Sequence, residues 1–112
     1  MTNKETIIDA KEVGGSVKVT GFGILDSPSM TVAKKIIDTY AKKYNDFSQD
    51  IREIHVTLKP LHEREKSEKY QIDARVQAKG KIYAAEHIDR NVFVALDKAM
   101  GKVQLSMSKI KA

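Results

Sequence analysis

The sequence predicts an α+β fold: a four-stranded, mostly antiparallel sheet with two helices packed on one face. Three observations carry this. Residues near 30–47 and 89–111 repeat apolar side chains at helical spacing. Four shorter stretches have strand character, three of them alternating apolar and polar residues as half-buried strands do. Their order is β-α-β-β-β-α, and one helical layer on one sheet face is the simplest arrangement that buries both helical stripes. The other sheet face is then polar and wet.

Residues 1–15 lack a clean period and end in Gly14-Gly15, which predicts a flexible arm ahead of a single domain over residues 16–112. "SVKVTGF" alternates, with Val17 and Val19 on one side and Lys18 and Thr20 on the other. The GFG that follows is a turn signal and opens no phosphate loop. Ser27 and Ser29 are both candidate N-caps for the first helix. Its apolar residues Ala33, Ile36, Ile37, Tyr40, Ala41, Tyr44 and Phe47 fall within an arc of about 140°. Tyr40 and Tyr44 are therefore expected in the core, not as stacking platforms.

"IREIHVTLKP" predicts a second strand stopped by Pro60, and the charged "LHEREKSE" predicts a solvent loop. In "KYQIDARVQA" Tyr70, Ile72, Ala74 and Val76 alternate with Gln71, Asp73, Arg75 and Gln77. A turn at Gly80, free to take positive φ, leads into a short strand "KIYAAE". The last helix, from about Asp89, carries Val92, Ala95, Leu96, Ala99, Met100, Val103, Met107 and Ile110 as its apolar face. With Val92 at zero, Lys98, Lys102 and Lys109 form one row at about 240–280°. Gly101 falls at about 180°, opposite the core, where its helix cost of about 1 kcal/mol is not repaid by burial. A bare strip there would let an RNA backbone lie close.

Charge placement is more informative than its total. Of a net +5, residues 30–44 hold +3 and residues 89–111 hold +3, against −1 for residues 1–29 and zero for 45–88. Laid side by side, the two helices are expected to merge their lysines into one basic platform suited to phosphate. With no cysteine, disulfides and zinc–thiolate sites are excluded. His55, His62 and His87 have neither metal-ligand spacing nor a triad partner nearby. No enzyme, cofactor, metal or small-molecule substrate is expected. The charged N-terminus and the lack of a run of ~20 apolar residues predict a cytoplasmic protein off the membrane. A monomer is expected.

The stretch "KYQIDARVQAKGKIYAAEHIDRNVFVALDKAMGKV", with "VKVTGFGILDSPSMTVAKKIIDTYAKKY" and "IREIHVTLKP", resembles the ribosome hibernation-promoting factors, the family of the ribosome-associated inhibitor protein Y. The resemblance spans about residues 16–111 and is that of a short form, without the pairing domain of the long forms. It implies a stress-response protein that regulates translation by occupying the messenger and transfer RNA channel of the small ribosomal subunit. The positions it implies as ribosomal RNA contacts are Lys34, Lys35, Lys42 and Lys43 on the first helix. On the second they are Arg90, Lys98, Lys102 and Lys109. Phe93 stands where that family's helix opening has tyrosine, and the terminus "QLSMSKIKA" is less basic than usual. Two other readings compete. A double-stranded-RNA-binding module uses similar elements, although only Arg90 stands where its lysine cluster belongs. A protein–protein adaptor would instead recruit a partner strand to a sheet edge.

Overall fold

The computed structural model describes residues 5–8, 16–48, 50–64 and 67–110. Its elements are β1 (Glu5–Ile8), β2 (Ser16–Thr20), a single 3-10 turn (Phe22–Ile24), α1 (Ser27–Phe47), β3 (Ile51–Arg64), β4 (Ser67–Ala78), β5 (Lys81–Asp89) and α2 (Val92–Ile110). The α+β architecture is the one expected. The sheet runs β1-β2-β3-β4-β5, and only the β2–β3 pair is parallel. That parallel pair is possible because α1 supplies the crossover between its strands. From the expected N-terminal arm, Glu5–Ile8 add a fifth strand antiparallel to β2, with Glu5 opposite Thr20 and Ile8 opposite Val17. The rest of residues 1–15 lies outside the described residues.

Both helices cover one face. The inward residues Val17, Val19, Ile54, Val56, Leu58, Ile72, Ala74 and Val76 meet Ala33, Ile37, Ala41 and Tyr44 of α1 and Ala95, Leu96, Ala99, Met100, Val103 and Met107 of α2. The alternation and the helical stripes thus do what their periods require. α2 lies on β4 and β5, and α1 lies beside it toward β3. Among the described residues no helix is long and apolar enough to cross a membrane.

Local chemistry moves several boundaries. The cap of α1 is Asp26, not a serine: its Oδ1 accepts the Ser29 N–H at 2.8 Å, and the Ser29 side chain, then this backbone bond, hold the carboxyl below its usual range. α2 begins at Val92 because Asn91 Oδ1 accepts from the N–H groups of Phe93 and Val94, at 2.8 and 3.2 Å. The expected loop after Pro60 is instead the far end of a long hairpin. Pro60 pairs with Tyr70, and the ladder continues through Leu61–Lys69 and His62–Glu68 to Arg64–Ser67. β2 pairs only as far as Thr57. Beyond that point β3 has no described strand on its β2 side, and a missing N–H directed there is tolerated. The β4–β5 turn holds both Lys79 (φ 52°) and Gly80 (φ 74°) in the left-handed region, as a type I′ turn requires.

Gly21 is more than a turn signal. Its φ of 83° suits glycine, and a Cβ there would collide with the Leu58 carbonyl oxygen of β3. We expect Gly21→Ala to destabilise the domain by more than about 2 kcal/mol in urea unfolding, combining left-handed strain with displaced β3 backbone. Gly23→Ala is the control, since nothing lies within 4 Å of its would-be Cβ. Equal effects at both positions would refute the account.

Candidate nucleic-acid interface

The surface over the two helices is organised by a seam of tyrosines. Tyr44, fully buried, donates its hydroxyl to the Met100 carbonyl of α2 at 2.7 Å. Tyr40, half-buried, donates to Asp97 Oδ1 at 2.8 Å. Burial, then the Asp97 carboxylate, pushes the Tyr40 phenol up to about 12, and burial pushes the Tyr44 phenol up as well. Lys43 Nζ stands 5.1 Å over the Tyr40 ring, a cation–π contact. A shallow groove of about 220 Å³ follows the seam, lined by Lys35, Ile36, Thr39, Tyr40, Lys43 and Asp97.

Gly101 belongs to this seam and not to a bare outer strip. It is half-buried, and a Cβ there would lie 3.4 Å from the Tyr40 hydroxyl. The position opposite the sheet on the wheel is the one turned toward the neighbouring helix.

All eight expected contact residues are exposed, but they do not form one platform. Lys35 and Lys43 flank the groove. Lys34 and Lys42 line no part of it, and Lys42 Nζ pairs with Asp38 one turn earlier at 3.4 Å. On α2 the lysine row faces away from α1, because Lys102 Nζ donates to the Glu86 carbonyl of β5 at 2.9 Å. Lys98 and Lys109 share that flank by helical spacing. Arg90 sits in the β5–α2 connection. Between the two cationic tracks run Asp97 and the outer ridge of α2, where Val94 and Leu105 are 37% and 57% exposed. The expected merger fails because α2's apolar stripe faces β4 and β5 while its lysine row leans over the sheet edge.

The opposite sheet face is polar over β2, β3 and β4, as expected, and several of its charges are paired, while along β5 it also carries exposed Ile82 and Ile88. Lys18 binds Glu53 at 3.0 Å, Lys59 binds Asp73 at 3.2 Å, and Gln71 Nε2 donates to Asp73 and Glu86 at 2.9 and 3.1 Å. The Lys18 hydrogen bond holds the Glu53 carboxyl below its usual range. Burial opposes the same shift at Asp73, but the Gln71 amide and Lys59 ammonium outweigh it. His55 Nε2 lies 2.7 Å from the Thr20 hydroxyl. Among the described residues no three His, Cys, Asp or Glu side chains cluster as metal ligands. Chemically, the helix face offers exposed ammonium groups suited to phosphate, while on the sheet face Lys18 and Lys59 are paired with neighbouring carboxylates.

No protein-family profile matches the chain, and no curated protein does. A solved structure does match: a ribosomal subunit interface protein from Coxiella burnetii, 22% identical, with a TM-score of 0.54. The match covers 78% of this chain and 88% of that one. The two proteins share a fold. At this identity the likeness extends to architecture, and the two-helix layer over the sheet is the part that bears on the candidate interface.

The seam makes two predictions. Gly101→Ala should stabilise the domain by about 0.5–1 kcal/mol, since α2 gains helix propensity and the new methyl meets Tyr40 at ordinary contact distance. A destabilised Gly101→Ala would mean that the helices need to approach more closely there. The raised Tyr40 phenol favours the folded state while protonated, so its stabilisation is complete below about pH 10 and declines as pH rises toward 12. Tyr40→Phe should cost about 0.5–1.5 kcal/mol at neutral pH and flatten the alkaline fall of the urea midpoint. An unchanged alkaline limb would contradict the hydrogen bond.

Proposed function

We propose that this protein is a ribosome-associated translation inhibitor of the hibernation-promoting type. It seats its helix face on ribosomal RNA of the small subunit, in the messenger and transfer RNA channel. The observation that carries this reading is the fold shared with a ribosomal subunit interface protein across most of both chains. Placement of the excess positive charge supports it: Lys34, Lys35, Lys42 and Lys43 on α1 and Arg90, Lys98, Lys102 and Lys109 on or beside α2 are all exposed. Phosphate attraction is sequence-independent and tolerates a separated pair of cationic tracks, because an RNA surface is itself ridged by backbones. The reading makes it a cytoplasmic binding protein that works as a monomer during stress, not an enzyme.

Sucrose-gradient co-sedimentation tests the reading. The protein should travel with small subunits and whole ribosomes at low salt and be released as salt rises. Retention at the top of a low-salt gradient would refute it. The double variant Lys98→Glu with Lys102→Glu should weaken binding at least tenfold and reduce the log–log salt slope by about one to two. An unchanged slope would make those lysines bystanders. Equally tight binding of free duplex RNA would favour the general RNA-binding alternative.

A further inference from the structure

The edge formed by β5 is long, regular and unguarded by proline or bulge. It spans Lys81–Asp89 and pairs with β4 without a register shift, from Ala78–Lys81 to Tyr70–Asp89. A two-residue turn makes Ala78 and Lys81 a hydrogen-bonded pair, so the odd-numbered residues of β5 direct their N–H and C=O groups to β4. The even-numbered residues Ile82, Ala84, Glu86 and Ile88 direct theirs outward. Lys102 provides independent evidence of that polarity, since its Nζ reaches the Glu86 carbonyl at 2.9 Å. A lysine at an edge is a recognised guard against strand pairing, but this one covers a single carbonyl.

The two sides of this edge differ in chemistry. On the open sheet face Ile82 and Ile88 are 55% and 45% exposed, and between them lie exposed Ala84 and Glu86, whose carboxylate is already held by the Gln71 amide at 3.1 Å. On the helix side stands the cationic row of α2. Lys102 marks the level of Glu86. Because α2 turns back over β5, Lys98, about 6 Å earlier, lies toward Ile88, and Lys109, about 10 Å later, lies toward Ile82. Neither Lys98 nor Lys109 has an ion pair among the described residues.

We infer that the β5 edge takes up an extended segment of a partner protein in which acidic residues alternate with aliphatic ones. Side chains of an added strand alternate between faces, so the acids would all project under the lysine row and the aliphatics would all cover Ile82 and Ile88. Acids two residues apart in a strand are about 7 Å apart, close to the ~6 Å between Lys98 and Lys102. An arriving carboxylate also gives Lys102 a new partner as it releases the Glu86 carbonyl to the incoming N–H. Charge decides against a second copy. Antiparallel self-pairing about Ala85 would match Ile82 with Ile88, but would set two lysine rows face to face. This inference does not rest on the ribosome reading.

Amide hydrogen exchange on the full-length chain, without ribosomes, tests it. The probes are two seven-residue peptides, one alternating valine and glutamate and one alternating valine and lysine. The glutamate peptide should slow exchange at least tenfold at the amides of Ile82, Ala84, Glu86 and Ile88. Tyr83 and Ala85, already bonded to β4, should not change. The lysine peptide should bind at least tenfold more weakly. Ala84→Pro, which removes an outward N–H and no ladder bond, should abolish the effect while the remaining amide spectrum stays native. Lys98→Glu with Lys102→Glu should reverse the peptide preference. Absence of protection, or equal protection by both peptides, would overturn the inference. Protection that rises with protein concentration alone would also overturn it, in favour of self-pairing.

Discussion

A buried hydrogen bond from the Tyr44 hydroxyl to the Met100 carbonyl is the constraint on which the helix layer depends. The phenol is fully enclosed, and leaving its hydroxyl without a partner there would cost about 1–3 kcal/mol. The observed placement of α1 against α2 satisfies it through the Met100 carbonyl. Tyr40, one turn earlier, then meets Asp97 one turn earlier on α2, and the two contacts fix the relative register of the helices. Gly101 leaves room for the Tyr40 hydroxyl at this crossing.

Once the seam is set, the charge pattern follows. α1 leaves Lys35 and Lys43 at the groove and Lys34 and Lys42 exposed outside it. α2 turns its lysine row to the β5 edge, where Lys102 is anchored to a backbone carbonyl. The molecule therefore has two cationic tracks separated by Asp97 and an apolar ridge, on one side of a sheet whose far side pairs Lys18 with Glu53 and Lys59 with Asp73. This asymmetry is a stronger functional statement than the net charge, because a phosphate backbone competes poorly with carboxylates already in place but readily with water.

Periodicity made most of the architecture legible. Both helical stripes and the inward set of β2, β3 and β4 are where alternation and the 3.6-residue period place them, because those patterns are set by burial itself. The hairpin beyond Pro60 was not legible: charged side chains signal solvent, yet the backbone ladder depends on partner strands and not on side-chain polarity. The strand Glu5–Ile8 is short and aperiodic, and exists through its pairing with β2. At the candidate interface the exposed lysines were readable one by one, whereas their division into two tracks was not. A helical wheel gives directions within one helix; it does not say that 180° from the sheet is where the other helix lies, as Gly101 shows. Tyr40 and Asp97 carried a weak signal, a tyrosine within one apolar face and an acid beside another.

The central claim is that the helix face, and not the sheet face, meets the ribosome. Lysine-reactivity footprinting of the protein bound to small subunits tests it most directly. The account predicts strong protection of Lys35, Lys43, Lys98, Lys102 and Lys109, while Lys18 and Lys59 on the sheet face react as in the free protein. Protection of Lys18 and Lys59 with the helix lysines unchanged would contradict it.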